Sequence, residues 1–474
     1  MKSTIHEHQK ISYKAVSKNI PLKFYALLIP VFLLLGCDSF VEVDLPSGQL
    51  TAPAVFEDVS TANAAMADVY AKLRDSGLIT GNATGVSNLM GNYADELDYY
   101  GDSAAATQSF YNNALTGTDG TVAGLWNNSY NEIYSANAII EGVAASTGLP
   151  ATDKNRLTGE ALFVRALVHF YLVNLYGAIP YVTTTDYEQN RHVGRLAADA
   201  VYANIIADLE QAQTLLPENA SPERIRPNKA AAAALLSRAY LYNGRWAEAG
   251  NAASAVLNDA NYAMESDIDA VFLNGSTSTI WQLKPSAEGI NTYEGSNFIF
   301  TAGPPPFVSL TDALVSAFEP GDLRRTHWIG SITDGTTTWF YANKYKEQMN
   351  TGTSVEYSIV LRVAEQYLIR AEARARQGEL IGAKEDLNVI RNAAGLGDTP
   401  AVSQQELLDA VQRERRVELF TEHGHRFFDL KRNGALDAAL SPIKPGWNAT
   451  DALLPLPETE LLLNPNLAPQ NPGY

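Results

Sequence analysis

Three carboxylates stand close together at Asp95, Glu96 and Asp98. Two carboxyls flanking one glycosidic bond, roughly 5–10 Å apart in space, would suffice for glycoside hydrolysis, but spacing along the chain does not establish that separation. A solvated acidic loop is the simpler reading. His423 and His425 form a His-x-His pair. On a helix, residues two apart point to opposite sides, so joint metal ligation there is poor, and only an extended turn around Gly424 would allow it. No metal site is expected. The chain has no Gly-x-Ser-x-Gly elbow and no Gly-x-x-x-x-Gly-Lys-Ser/Thr phosphate loop. Nothing in these groups calls for a catalytic residue or a cofactor.

The aromatic side chains offer a different chemistry. A pyranose ring has an apolar face of C–H bonds that stacks on Trp or Tyr, while Asn, Asp and Gln bond its hydroxyls. Candidates are Tyr99 and Tyr100 beside Asp98, and Trp281, Tyr293, Trp328 and Trp339 farther along. Each also reads as an ordinary core aromatic. Trp126, Tyr130 and Tyr134 share a helix face and read as core.

One cysteine, Cys37, is left to do chemistry. It follows Leu34-Leu35-Gly36, and before that come five lysines and an apolar run from Phe24 to Leu35. Twelve apolar residues are too few to span a bilayer, which needs roughly 20. A basic leader and a short apolar core read as a secretory signal peptide over residues 1–36. Leu34 to Cys37 resembles a bacterial lipobox, with Cys37 as the acylated residue. Several acyl chains, at about 0.8 kcal/mol per buried methylene, would anchor it stably. Without another cysteine the fold has no disulfide to rely on. Removing residues 1–36 takes away five Lys and one Glu and moves the net charge from −18 to −22. So acidic a surface repels phosphate backbones, which argues against nucleic acid. A neutral sugar or a basic peptide remains compatible.

The elements that must position these groups are mostly helical. Residues 37–53 read as a polar tether. Helical periodicity begins at Ala54 and ends near Gly77, and recurs over 125–143, 158–176 and 199–216. Residues 80–121 are polar and Gly-rich and read as a long loop. Residues 228–258 form a helix pair broken at Gly244, and 360–391 repeat it, broken at Gly378. Ala239, Gly244 and Ala249 are spaced like Ala373, Gly378 and Ala383. That is the logic of a tetratricopeptide helical hairpin. Because the pairs are not contiguous, a simple solenoid is not expected. Residues 260–358 between them read as an excursion of loops, short strands and short helices. Residues 404–434 form a long charged helix with its exit, and the tail is rich in Pro and Asn.

The run from Arg413 through Glu418, Phe420, His423, Gly424, His425 and Asp429 to Arg432 resembles the signature of the SusD/RagB family. So do Leu454-Pro455-Leu456-Pro457-Glu458, Asn464-Pro465-Asn466-Leu467 and Asn471-Pro472-Gly473-Tyr474, and upstream Arg165-Ala166 and Leu175 to Pro180. The resemblance implies a mainly α, tetratricopeptide-like scaffold; a single domain over 54–474 is expected, with the irregular segments 80–121 and 260–358 on its ligand-facing side. It implies a non-enzymatic outer-membrane lipoprotein, facing the cell surface, in a Bacteroidota-type bacterium. Such a protein would capture an oligosaccharide, or in some members a peptide, for a SusC-like TonB-dependent transporter. Within the arginine-rich run, Arg415 and Arg416 are expected to pair with Glu414, Glu418, Glu422 and Asp429 at three- and four-residue spacing, a fold role. The rival readings are a helical-repeat scaffold that binds only proteins, and a surface glycosidase.

Overall fold

The first long helix, Val59–Asp75, starts where Asp58 accepts hydrogen bonds from the amides of Ser60 and Thr61. Asp119 caps Gly120–Ala145 in the same way, Asn228 caps Lys229–Tyr242, and Ser403 with Glu406 makes a capping box for Gln404–Glu418. These polar residues satisfy amides that the helix itself leaves free. The structure, a computed structural model, describes residues 52–102 and 106–474. Residues 1–36, Cys37 and nearly all of the expected tether lie outside the described residues. Among the described residues no helix is long and apolar enough to cross a membrane.

Helices pack in a series. Val59–Asp75 lies against Gly120–Ala145, which lies against Ala151–Tyr176, then Ala198–Leu215, Lys229–Tyr242 and Trp246–Leu257. Ala151–Tyr176 is buried on all sides from Gly159 onward, so its polar residues need partners in the interior. Arg165 forks onto Asp208 with both bonds at 2.7 Å, and Glu160 accepts from Arg156, Arg226 and Tyr70.

The two hairpins read from the sequence are Lys229–Tyr242 with Trp246–Leu257, and Val363–Arg376 with Leu380–Ala393. Gly244 and Gly378 turn them at φ +73° and +81°, a region that favours glycine. Ala239, Ala249, Ala253, Ala373 and Ala383 are all fully buried. The hairpins are distant in sequence but adjacent in space: Trp246–Leu257 packs on Val363–Arg376, and an added methyl at Gly250 would sit 3.6 Å from that of Ala373. The stack is continuous, and residues 258–362 leave it and return.

That excursion holds most of the strands. β1 (Leu97–Tyr99), β3 (Val308–Leu310), β5 (Thr338–Ala342) and β4 (Ile329–Thr333) form an antiparallel sheet in the order β1-β3-β5-β4, while β2 (Thr279–Leu283) pairs with β6 (Ser358–Arg362). Asp98 sits opposite Ser309, and Tyr99 opposite Val308. A separate apolar cluster, with Phe272, Leu310, Leu314 and Phe420, lies beneath the sheet. Residues 80–121 are not the loop their composition suggests. They contain the helices Val86–Tyr93 and Ala106–Tyr111 and the strand β1. Every residue of Val86–Tyr93 is buried, including Ser87, Asn88 and Asn92. Polar residue types hid a core helix: the Asn92 amide donates to the Asn88 carbonyl within it, and Asn113 from outside donates to the Tyr93 carbonyl at its end.

Candidate functional site

The strand β1 joins the two segments singled out for their composition. It comes from 80–121, and its partner β3 comes from the excursion. Its position is set just upstream. Asp95 is buried and takes both nitrogens of Arg426 at 2.7 and 2.8 Å and Arg416 at 3.0 Å. Burial alone would raise the Asp95 pKa, but the two guanidiniums outweigh it and hold the carboxyl below its ordinary range. Glu96 beside it is also buried, and burial together with the Asp95 charge pushes it up to about 8. The expectation of a solvated acidic loop is therefore wrong for Asp95 and Glu96: one is a salt-bridge clamp and the other an interior carboxyl whose pKa burial raises.

Downstream of the clamp the chain surfaces. Asp98 and Tyr99 are half-buried and Tyr100 is 42% exposed. The Tyr100 amide donates to the Phe307 carbonyl at 2.7 Å, which sets Tyr100 beside the 57% exposed Phe307. Tyr111 donates to Asp98 at 3.3 Å, and its ring tilts against Tyr99 with centroids 6.4 Å apart. Tyr99 in turn donates to the Asp102 carbonyl at 2.9 Å. The edge of the sheet thus presents aromatic faces with a carboxylate among them. Tyr293 is 37% exposed and donates to Asp75 at 3.2 Å, and Asp75 is itself held by Arg74. The cleft beside Tyr293 encloses about 10 Å³, room for about one water, so Tyr293 offers an open face and not an enclosed pocket.

The three candidate tryptophans lie elsewhere. Trp281 is fully buried between Tyr70 and Phe163, with Nε1 donating to the Ile225 carbonyl at 3.3 Å. Trp328 is buried against Phe272, donates to the Ile268 carbonyl at 3.2 Å, and has Lys344 over its ring. Trp339 is buried against Gly303, where an added Cβ would collide with the ring. A ring with no free face cannot stack on a sugar, so these three are core residues and leave the set of exposed binding candidates. Their polar neighbours in sequence suggested exposure; the sheet and the helical stack close over them.

The arginine-rich run has the fold role expected of it, but by tertiary partners. Arg415 pairs with Asp429 at 2.7 Å; Arg324 reaches Glu414 and Glu418 at 2.6 and 2.8 Å; Arg362 reaches Glu418 and Glu422. Only Arg432 with Asp429 follows the local three-residue spacing. The network ties the last helices to the excursion. His423 and His425 are buried, with His423 Nε2 at 2.9 Å from the Ile359 carbonyl. Among the described residues no cluster of His, Cys, Asp and Glu could hold a metal.

A pocket was missed. Trp126, Tyr130 and Tyr134 line a cavity of about 400 Å³, closed by the 180–193 segment and the tail helix Glu458–Leu463. Trp126 is buried as expected, but Tyr134 is 52% exposed and Tyr187 across the rim is 71% exposed. The shared face of 126, 130 and 134 was legible; that a later segment would leave its outer end open was not.

Two family models match the chain. "Starch-binding associating with outer membrane" matches residues 55–241, and "SusD family" matches residues 323–451. The chain is 27% identical to SusD-like protein P2 of Formosa agariphila, over 96% of this chain and all of that one. A SusD superfamily protein from Bacteroides vulgatus superposes with a TM-score of 0.77 at 21% identity, covering 88% of this chain and 99% of its own. A laminarin binding SusD-like protein superposes at 0.73 with 24% identity, again over 88% and 99%. The structural likenesses establish the fold.

Proposed function

The chain belongs to the SusD/RagB family, and from that premise we propose that it is a cell-surface lipoprotein that captures an oligosaccharide and passes it to a SusC-like TonB-dependent transporter. Cys37 carries the lipid that holds it on the outer membrane. The capture is reversible binding without bond cleavage.

The observation that carries the reading is the edge of β1, where the exposed rings of Tyr100 and Phe307 stand on paired backbone positions and Tyr111 bonds the half-buried Asp98. Exposed rings give a sugar its C–H stacking face, and Asp98 can accept from hydroxyls. The buried Asp95 clamp holds this edge in place, so little ordering remains to be done on binding. The acidic chain is compatible with a neutral glycan. A structural neighbour described as laminarin binding supports the ligand class.

The test is a binding screen. Lipid-free protein is titrated with laminari-, cello-, malto-, xylo- and mannohexaose and with basic peptides, and every mixture is analysed for products by chromatography. Saturable binding of one glycan class with the glycan recovered intact is expected. Cleaved product would replace capture by catalysis, and binding of peptides alone would overturn the glycan assignment.

A further inference from the structure

The 400 Å³ pocket beside Trp126 shares no lining residue with the β1 edge. Its volume falls in the range of small-molecule sites, roughly 300–1,000 Å³. It is also built. Tyr130 donates to the Pro180 carbonyl at 2.9 Å, which fixes its ring. Asn137 donates to the Val182 carbonyl at 3.1 Å and holds the segment that bears Tyr187 against the long helix. Asp186 caps the short helix Tyr187–Asn190, with its carboxylate accepting from the amides of Glu188 and Gln189. On the other wall Asn464 donates to the Val193 carbonyl and Asn466 to that of His192, both at 2.9 Å. Three parts of the chain are thus pinned around one concavity before anything enters it.

What the walls present is specific. Tyr134 and Tyr187 turn large exposed rings toward the rim. Glu460 lines the pocket half-buried, and its carboxylate has no hydrogen bond or ion pair to any described residue; burial raises its pKa with no partner to oppose it. Asn127 and Arg191 add donors. A hydrocarbon chain would strand Glu460 and the amide. An anion would meet Glu460 on a strongly acidic chain, and a cation would meet Arg191. A neutral ring with apolar C–H faces and hydroxyls at its edge satisfies all of them.

We infer that this pocket is a second saccharide subsite, which takes a pyranose unit between Tyr134 and Tyr187 with Glu460 accepting from its hydroxyls. The inference rests on the glycan reading above but concerns a different surface. Two subsites on one chain would raise the avidity for a long or branched glycan through effective concentration, with no new contact at either.

The experiment uses the full chain carrying Cys37→Ser and uniform 3-fluorotyrosine, with resonances of Tyr100, Tyr134, Tyr187 and Tyr293 assigned by Tyr→Phe variants. Fluorine NMR follows titration with methyl glucoside, galactoside, mannoside and xyloside and with the five hexaoses. The Tyr134 and Tyr187 resonances should move together and saturate with at least one of these probes, and Glu460→Gln should weaken that response at least fivefold. Movement of Tyr100 or Tyr293 alone would overturn the second subsite and leave the capture reading standing. If all four stay still with every probe, both readings fail. If Tyr134 and Tyr187 shift but Tyr100 and Tyr293 do not, the subsite stands and the β1 edge is displaced as the capture surface.

Discussion

Replacing Asp95 by Ala removes the acceptor shared by Arg416 and Arg426. All three groups are largely buried, with side-chain exposures of 7%, 20% and 16%. Breaking a buried pair by deleting one partner costs about 3–5 kcal/mol, because the remaining charge is left uncompensated. Glu96 lowers that cost here. Its carboxyl is held up at about 8 by burial and by the Asp95 charge, while Arg426, Lys344 and Arg416 pull it down. Once Asp95 is gone, Glu96 can ionise at neutral pH and face the same guanidiniums. Asp95→Ala should therefore cost about 2–3 kcal/mol at pH 7.5, at or below the lower end of that range. The double variant Asp95→Ala/Glu96→Gln should cost at least ~1 kcal/mol more than the sum of the singles, since neighbours in one network do not add. Urea denaturation followed by circular dichroism reads both differences. A loss under ~1 kcal/mol for Asp95→Ala would refute the clamp, and strict additivity in the double variant would refute the compensation by Glu96.

Tyr100→Ala should leave stability within about 0.5 kcal/mol, as surface changes do, while weakening binding of the captured glycan about tenfold; calorimetry on the two properties separates them. Trp281→Ala should do the reverse, destabilising by about 3–5 kcal/mol through a core cavity, with the surviving folded protein binding normally in a direct titration. Glu132 is fully buried with both carboxylate oxygens unpartnered, and burial lifts it to about 8. A carboxyl raised in the folded state keeps its contribution below the unfolded value, near 4.3, and loses it as pH rises toward 8. Glu132→Gln should therefore gain stability relative to wild type between pH 5 and 8, and a constant difference across that range would contradict it. Gly378→Ala meets no neighbouring atom but keeps φ at +81°, so it should cost about 1–2 kcal/mol from backbone strain alone, measurable as a lowered denaturation midpoint.

The helical framework was legible because its signals are local. Gly177, Gly244 and Gly378 end helices where the sequence places them, and the small residues of the two hairpins are buried as their spacing implies. What was not legible depends on partners far along the chain. The helix Val86–Tyr93 carries Val86, Leu89, Met90 and Tyr93 at helical spacing, but Ser87, Asn88, Gly91 and Asn92 between them masked that signal, and packing against Ala106–Tyr111 and His425–Arg432 buries its polar face as well. The arginine motif was correctly read as structural, yet its partners Asp95, Arg324 and Arg362 come from segments whose proximity no local spacing announces. Exposure was the weakest inference. Trp328 follows the polar run Arg324 to His327 and is buried, whereas Tyr134 lies on an apolar helix face and is open. Periodicity reports which face a residue occupies, and only the fold decides what covers that face.

The most direct measurement is a calorimetric titration of the strongest-binding hexaose into wild type, Tyr100→Ala/Phe307→Ala and Trp328→Phe, with the sugar recovered and sized afterwards. Capture at the β1 edge predicts saturable binding and intact sugar. It also predicts affinity lowered at least tenfold in the Tyr100/Phe307 variant, with Trp328→Phe unchanged. Unchanged affinity in the double variant, or a sugar returned in shorter pieces, would contradict it.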